Sequence, residues 1–128
     1  MASVSARRAA AKLRNLARAN RAASAERRSI AQAARRVRTG PRSLVTHVLA
    51  TGADRATVEG AADALRTVAK KKGVKGRRAR IRRTFSGTKR HTITAYRYTR
   101  AQVAEIARQY KPRKPEYKAV RAVLLAAA

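Results

Sequence analysis

The chain has no cysteine, no tryptophan and only six acidic residues among its 128. Without cysteine, disulfides, thiolate zinc sites and cysteine nucleophiles are excluded. The six carboxylates are scattered and form no ligand set for a metal-dependent nuclease, and no glycine-rich phosphate loop occurs. We therefore expect no enzyme, no cofactor and no metal site. Of the two histidines, His47 is expected to be structural and His91 to contact phosphate.

Long hydrophobic runs are also lacking. No stretch of about 18 apolar residues could span a bilayer, and the N-terminus lacks the apolar core of a secretory signal. An amphipathic membrane-surface helix would present bulky Leu, Phe or Trp, whereas the N-terminal segment here is mostly alanine. We expect no membrane partner and a cytoplasmic protein, nucleoid-associated if bacterial.

What the chain has in excess is positive charge: 33 Lys and Arg residues give a formal net charge of +27. Self-repulsion of this size costs stability unless a polyanion neutralises it. The charge is uneven, with eleven basic residues and one acid in 1–40, and ten basic residues and no acid in 73–100. This distribution predicts a nucleic-acid partner.

Residues 4–37 can form a helix, because Ala, Arg and Leu dominate and no Pro or Gly interrupts them. Leu16, Ile30 and Val37 fall on a seven-residue spacing with Ala9 and Ala23, but this seam is too thin to predict a coiled coil. We expect residues 1–25 to be a basic Ala/Arg-rich arm, partly helical or disordered, that orders on binding.

The folded domain is expected over residues 26–110. Apolar residues at helical spacing predict a short helix over 44–49, which Thr51-Gly52-Ala53 ends. Asp54 is a good N-cap for a second helix that runs to Lys72 with one apolar stripe. Gly73 ends that helix.

The period changes to two in residues 77–98, which predicts a hairpin with Arg78, Arg80 and Arg82 on one face and Ala79 and Ile81 on the other. Ser86-Gly87-Thr88-Lys89 is a plausible turn. A helix capped by Thr99 is expected to follow, and residues 111–128 are predicted to form a linker and a C-terminal helix. The predicted fold is mainly α with a two-stranded β-hairpin.

In this order of elements, residues 26–98 resemble a winged helix-turn-helix DNA-binding domain. The matching parts are the helix 44–49, the turn 51–53, the helix 54–72 and the hairpin 77–98. The resemblance implies that the second helix enters a DNA major groove, with the hairpin as a wing on adjacent backbone or minor groove. The basic helical arm in front and the two helices behind are additions to the family's pattern.

The implied recognition helix carries four candidate base contacts. Arginine suits this role because guanidinium can bond two guanine acceptors at once. Glu59 and Asp63 could accept from cytosine, or they could simply favour the helix N-terminus through its dipole. The candidate base contacts are Arg55, Thr57, Arg66 and Thr67.

The candidate phosphate contacts crowd the hairpin and its flanks. Like charges across paired strands repel each other, and nearby phosphates would relieve that repulsion; a solvated surface is the alternative. The candidates are Arg42, Lys70, Lys71, Lys75, Arg77, Arg78, Arg80, Arg82, Arg83, Ser86, Thr88, Lys89, Arg90 and Arg97, with the arm adding Arg7, Arg8, Lys12, Arg14, Arg18 and Arg21.

Two tyrosines of the hairpin have two interpretations. Tyr96 and Tyr98 could stack on bases or bond to phosphate, or they could pack the hairpin onto the helix that contains Leu65. Aromatic residues are only 4 % of the chain, which disfavours a single-strand binder, since such proteins present several aromatics on a basic groove.

The sequence thus predicts a sequence-preferring double-stranded DNA-binding protein, either a transcriptional regulator or a nucleoid-type architectural protein. One alternative is an RNA-binding, ribosome-associated protein. Another is a packaging protein that condenses DNA without reading it. The C-terminal helix could form a homodimer surface through Val120, Val123, Leu124 and Leu125.

Overall fold

The computed structural model describes residues 3–84, Gly87 and 90–127. The predicted contacts of Ser86, Thr88 and Lys89 lie outside these ranges, as does the side chain of Arg90. The elements in chain order are α1 (Val4–Thr39), α2 (Leu44–Leu49), α3 (Arg55–Lys72), β1 (Arg77–Thr84), β2 (Arg90–Arg97), α4 (Arg100–Gln109) and α5 (Pro115–Ala126).

The core lies between helices α2, α3, α4 and α5. Its fully buried large side chains are Val48 of α2, Leu65 of α3, and Val103 and Ile106 of α4. Each sits on the apolar stripe that its helix presents at 3.6-residue spacing, and burying such a side chain stabilises the fold by about 1.5–3 kcal/mol. The described chain is therefore a mainly helical protein with one two-stranded hairpin, as predicted.

Helix α1 runs unbroken through the boundary expected at residue 25. Only its C-terminal part joins the domain: Ala33 is 4 % exposed, whereas Leu13 and Leu16 are 68 % and 58 % exposed. The N-terminal part keeps its helix without tertiary packing, which its strong helix formers favour. Among the described helices, none has both the length and the apolar content needed to cross a membrane.

The ends of the helices follow local signals. Gly73 ends α3 in the left-handed region with φ 69°, where an L side chain would be strained. Thr99 and Gln102 form a capping box at the start of α4. Asp54 occupies the N-cap position of α3 as predicted, but its side chain makes no cap hydrogen bond.

The hairpin is an antiparallel ribbon with the alternation that the sequence predicts. Ile81 pairs with Ile93 and Ala79 with Ala95, so these residues share a face. No described side chain of either strand is fully buried. The ribbon therefore stands off the helical core and is joined to it at its base.

Candidate nucleic-acid interface

The base of the ribbon is fixed to the segment before α2. The backbone N–H of Arg42 donates to the Tyr98 carbonyl at 2.9 Å, and the N–H of Tyr98 donates to the Arg42 carbonyl at 2.7 Å. Buried His47 adds a third bond, with Nε2 2.7 Å from the same Tyr98 oxygen. Burial lowers the pKa of His47, so the neutral tautomer protonated on Nε2 is the donor. These bonds set where the ribbon leaves the core.

Tyr98 and Tyr96 have different environments, so the packing interpretation fits one of them and the ligand-contact interpretation fits the other. Tyr98 is 8 % exposed and packs in the core with Leu65, whereas Tyr96 is 50 % exposed. Burial raises the pKa of Tyr98, and nearby Arg66 opposes the rise only in part. The Tyr98 phenol therefore stays protonated, and Tyr96 is the aromatic residue that a ligand could reach.

A groove lies between the C-terminal half of α3 and the base of the ribbon, and we call it the α3–ribbon groove. Gly76 lines the groove, and its backbone is packed so closely that a Cβ there would lie 2.8 Å from the Arg97 carbonyl oxygen and 3.0 Å from the Tyr98 ring. The groove is lined by four cations and no acid, together with the two tyrosines. Its polar lining residues are Arg66, Lys70, Lys75, Arg78, Tyr96 and Tyr98.

The ribbon has one face rich in arginine, which continues outward from this groove. We call it the arginine face. Arg78 pairs with Tyr96, Arg80 with Thr94 and Arg82 with Thr92, and all six are exposed. Cations beside hydroxyl donors, with no acid among them, are suited to phosphate oxygens. The opposite face carries Ile and Ala at its centre, with Arg77, Arg83, His91 and Arg97 around them.

The exposed face of α3 bears both signs of charge. Arg55 Nε lies 3.6 Å from Glu59 Oε1, and Arg66 forms a close ion pair with Asp63. Thr67 donates its hydroxyl to the Asp63 carbonyl at 3.1 Å. Both arginines and Thr67 are exposed, and exposed ion pairs of this kind are worth only about 0–1 kcal/mol. The arginines can therefore exchange these partners for others.

Thr57 does not lie on that exposed face, so the structure does not support its prediction as a base contact. It is 8 % exposed. It precedes Gly60 by three residues and shares its flank of α3, and α5 covers this flank with the Tyr117 ring standing directly over Gly60. The sequence pattern showed one buried stripe on α3, but the packing of α5 buries a second flank.

The other predicted phosphate contacts are dispersed. Arg42 is half-buried and turned to the end of α1, where Nε donates to the Arg36 carbonyl at 3.0 Å and Nη2 to Thr39 Oγ1 at 3.2 Å. These bonds stabilise the negative end of the α1 dipole and give the Arg42 guanidinium partners within its own chain. Lys71 is exposed on the Gly60 side of α3. The six arm cations are all exposed on the free part of α1.

The C-terminal helix offers less surface for a dimer than its sequence indicates. Val120 and Leu124 are buried in the core of the same chain at 3 % and 6 % exposure. Val123 is 45 % exposed, and Leu125 is partly buried against the core. A homodimer through α5 would therefore depend on Val123.

Within the described ranges, no three His, Asp or Glu side chains are grouped closely enough to hold a metal ion.

Comparison of the chain with protein-family models, curated proteins and solved structures gave no match. Tyr96, for which the sequence left ligand contact and packing open, is exposed and lies across from Arg78.

Proposed function

We propose that this protein binds double-stranded DNA, with α3 in the major groove and the ribbon along the adjacent phosphates. One observation carries the proposal. A cationic surface begins at Arg66 and Lys70 of α3, crosses the α3–ribbon groove and continues along the arginine face, and no acid lines the groove. Several cations in one concave surface focus a positive field that attracts a polyanion.

Duplex DNA fits this surface better than the other polyanions. The B-form major groove is about 12 Å wide and admits an α-helix, whereas the A-form major groove of RNA is too deep and narrow to be read by side chains. Single-strand binders stack successive bases on several aromatics. Tyr96 is the one large aromatic exposed among the described ribbon and groove residues.

The winged helix-turn-helix assignment is part of this proposal. The double hydrogen bond between Arg42 and Tyr98 supports it, since it holds the ribbon beside the α2–turn–α3 unit. Base contacts are assigned to Arg55, Arg66 and Thr67, which are all exposed on α3. The remaining cations of the groove and the ribbon contact phosphate. A regulator or architectural protein of this type would act in the cytoplasm, on the nucleoid if the source is bacterial.

The ion pairs of α3 favour a second candidate function, packaging without base readout. Glu59 and Asp63 engage the two arginines assigned to guanine, and both acids would face the negative field of a major groove. A protein that only condenses DNA needs no free guanidinium on α3. The two functions differ in whether Arg55 and Arg66 contribute to site preference.

The ribbon offers a matched test of the docking face. R78A/R80A/R82A removes three charges from the arginine face, and R77A/R83A/R97A removes three from the opposite face of the same strands. We expect the first variant to lower the slope of log K against log salt by roughly 2.7, at 0.9 per lost phosphate contact. The second should change it by much less. Equal losses would mean that the two faces bind alike, and the proposed docking would be wrong.

Competition among random duplexes, genomic duplexes and structured RNA across a salt series tests the ligand class. We expect a subset of duplexes to remain bound at high salt, and R55A/R66A to abolish that preference. If all duplexes dissociate together, the protein packages DNA without reading it. If RNA displaces every duplex at matched salt, the RNA-binding alternative replaces the proposal.

A further inference from the structure

Helix α1 carries a row of arginines that recurs every seven residues along nearly its whole length. All five members are exposed. The row extends past the predicted arm into the part of α1 that packs on the domain. Its members, which we call the arginine row, are Arg7, Arg14, Arg21, Arg28 and Arg35.

Helix geometry makes these five residues one continuous line. Seven residues span about 10.5 Å, so the row is about 42 Å long. Seven steps of about 100° nearly complete two turns, and successive members drift by only about 20° around the helix. The guanidinium groups therefore follow one another on a single side of α1.

That side is turned away from the folded domain. Ala33 is buried and Val37 lines a cavity with His47, so both mark the side of α1 that packs on the core. Arg35 is two residues from each of them, and two residues rotate the helix by about 200°. Arg28 likewise lies two residues, and so about 200°, from Ile30, which is half-buried.

Within the described part of the chain, no carboxylate neutralises the row. Glu26, the one acid of α1, lines a groove with Val45 and Leu49 on the domain side. Among the described residues, no member of the arginine row lies within ion-pair distance of an acid. Their spacing is close to the Debye length of about 10 Å at 0.1 M salt, so the helix tolerates the row and a polyanion can meet all five charges.

We propose that the arginine row binds a second DNA duplex, so that one molecule bridges two duplexes. The bridging rests on the proposed function, in which the first duplex occupies the α3–ribbon groove and the arginine face. No member of the row lines the α3–ribbon groove, and the row lies on the side of α1 opposite Ala33 and Val37, which pack on the domain. The row and the groove therefore bind different segments of DNA.

A capture assay on the full chain measures bridging directly. One 40-bp duplex is immobilised, a second fluorescent duplex is free, and the protein is the only link between them. R7A/R14A/R21A/R28A/R35A removes the row, and R8A/K12A/R27A/R36A/R38A removes five other exposed cations from the same helix. Alanine preserves helix propensity. Far-UV circular dichroism checks folding, and a five-glutamine version of the row variant repeats the test.

We expect the row variant to retain binding of a single duplex while its capture of the second falls roughly tenfold near physiological salt. The control variant should capture more than the row variant does. Equal loss in both variants, undiminished capture by the row variant, or a single-duplex footprint that shortens when the row is removed would each overturn the proposal. R78A/R80A/R82A, which should weaken binding of a single duplex, tests the proposed function separately. Failure of the docking proposal can therefore be told apart from failure of the bridging proposal.

Discussion

The imidazole Nε2 of His47 lies 2.7 Å from the backbone carbonyl oxygen of Tyr98. The bond joins α2 to the residue that follows β2, 51 positions away along the chain. His47 is 4 % exposed, and burial lowers its pKa more than its backbone hydrogen bonds raise it. The group that anchors the ribbon is thus a buried histidine that resists protonation.

This relationship predicts that stability falls as the solution becomes acidic. The unfolded chain protonates His47 near its ordinary pKa of about 6.5, while the folded chain does so only at lower pH. Below its ordinary pKa, the unfolded state therefore binds more protons than the folded state. The free energy of unfolding is highest above that pKa and declines as the pH falls below it. One proton gives a slope of at most about 1.4 kcal/mol per pH unit.

Urea unfolding between pH 7.5 and 5.5 measures this slope, above the range in which carboxylates titrate. His47→Gln can still donate to the Tyr98 carbonyl but cannot titrate, and we expect it to remove the slope. His91→Gln, an exposed ribbon position, is the control and should keep it. A wild-type protein equally stable at both ends of the range would contradict the role given to His47.

Gly76 gives a second prediction, on the wall of the α3–ribbon groove. A methyl group there would meet the Arg97 carbonyl at 2.8 Å and the Tyr98 ring at 3.0 Å. The backbone oxygen cannot swing aside, so we expect Gly76→Ala to destabilise the fold by about 1–3 kcal/mol. Gly40→Ala meets nothing within 4 Å and should be neutral or slightly stabilising. Similar unfolding midpoints for the two variants would mean that the base of the ribbon shifts to accommodate the methyl group.

The sequence predicts those features whose causes are local. The end of α3 follows from Gly73, the start of α4 from Thr99, and the faces of the ribbon from strict alternation. Each depends on residues within one element or its turn. Such signals were enough to predict a mainly helical fold with one hairpin.

Features that depend on distant parts of the chain were not predictable in this way. Tyr96 and Tyr98 are neighbours of the same type, and their exposures differ because only Tyr98 reaches the core beside Leu65. Thr57 is buried on the flank of α3 where Tyr117 of α5, some sixty residues later, stands over Gly60. The groove also brings Arg66 close to Tyr96. Helical and strand periodicity carry no information about such contacts.

The two acids of α3 give a third prediction. Glu59 and Asp63 hold Arg55 and Arg66 in exposed ion pairs and oppose the approach of phosphate. We expect E59Q/D63N to increase affinity for random duplex DNA severalfold, since two repulsive charges are lost and two arginines are released. The ratio of the affinity for preferred duplexes to that for random duplexes should fall, because only the sequence-independent part of the affinity rises.

A matched control removes two acids that lie outside α3. E105Q/E116Q takes the same charge from α4 and α5, where both residues are exposed, and should raise affinity much less. Anisotropy titrations at two salt concentrations distinguish the variants. Equal gains in both would mean that only net charge matters and that α3 does not face the DNA.

Tyr96 supports the last prediction because its exposed ring stands across from Arg78 on the arginine face. The bases of an intact duplex are stacked on one another, so we assign the phenol to a phosphate oxygen rather than to a base. A hydrogen bond to a charged group contributes about 1.5–3 kcal/mol, which corresponds to roughly a tenfold to hundredfold change in Kd. Tyr96→Phe should therefore weaken duplex binding nearly as much as Tyr96→Ala.

The salt dependence separates this contact from those of the arginines. Neither Tyr96 variant removes a charge, so the slope of log K against log salt should match that of the wild type, whereas R78A/R80A/R82A lowers it. If Tyr96→Phe binds like the wild type and only Tyr96→Ala is weakened, the ring acts by stacking. Since stacking requires an unpaired base, the preferred ligand would then be single-stranded, and single-stranded oligonucleotides should outcompete the duplex.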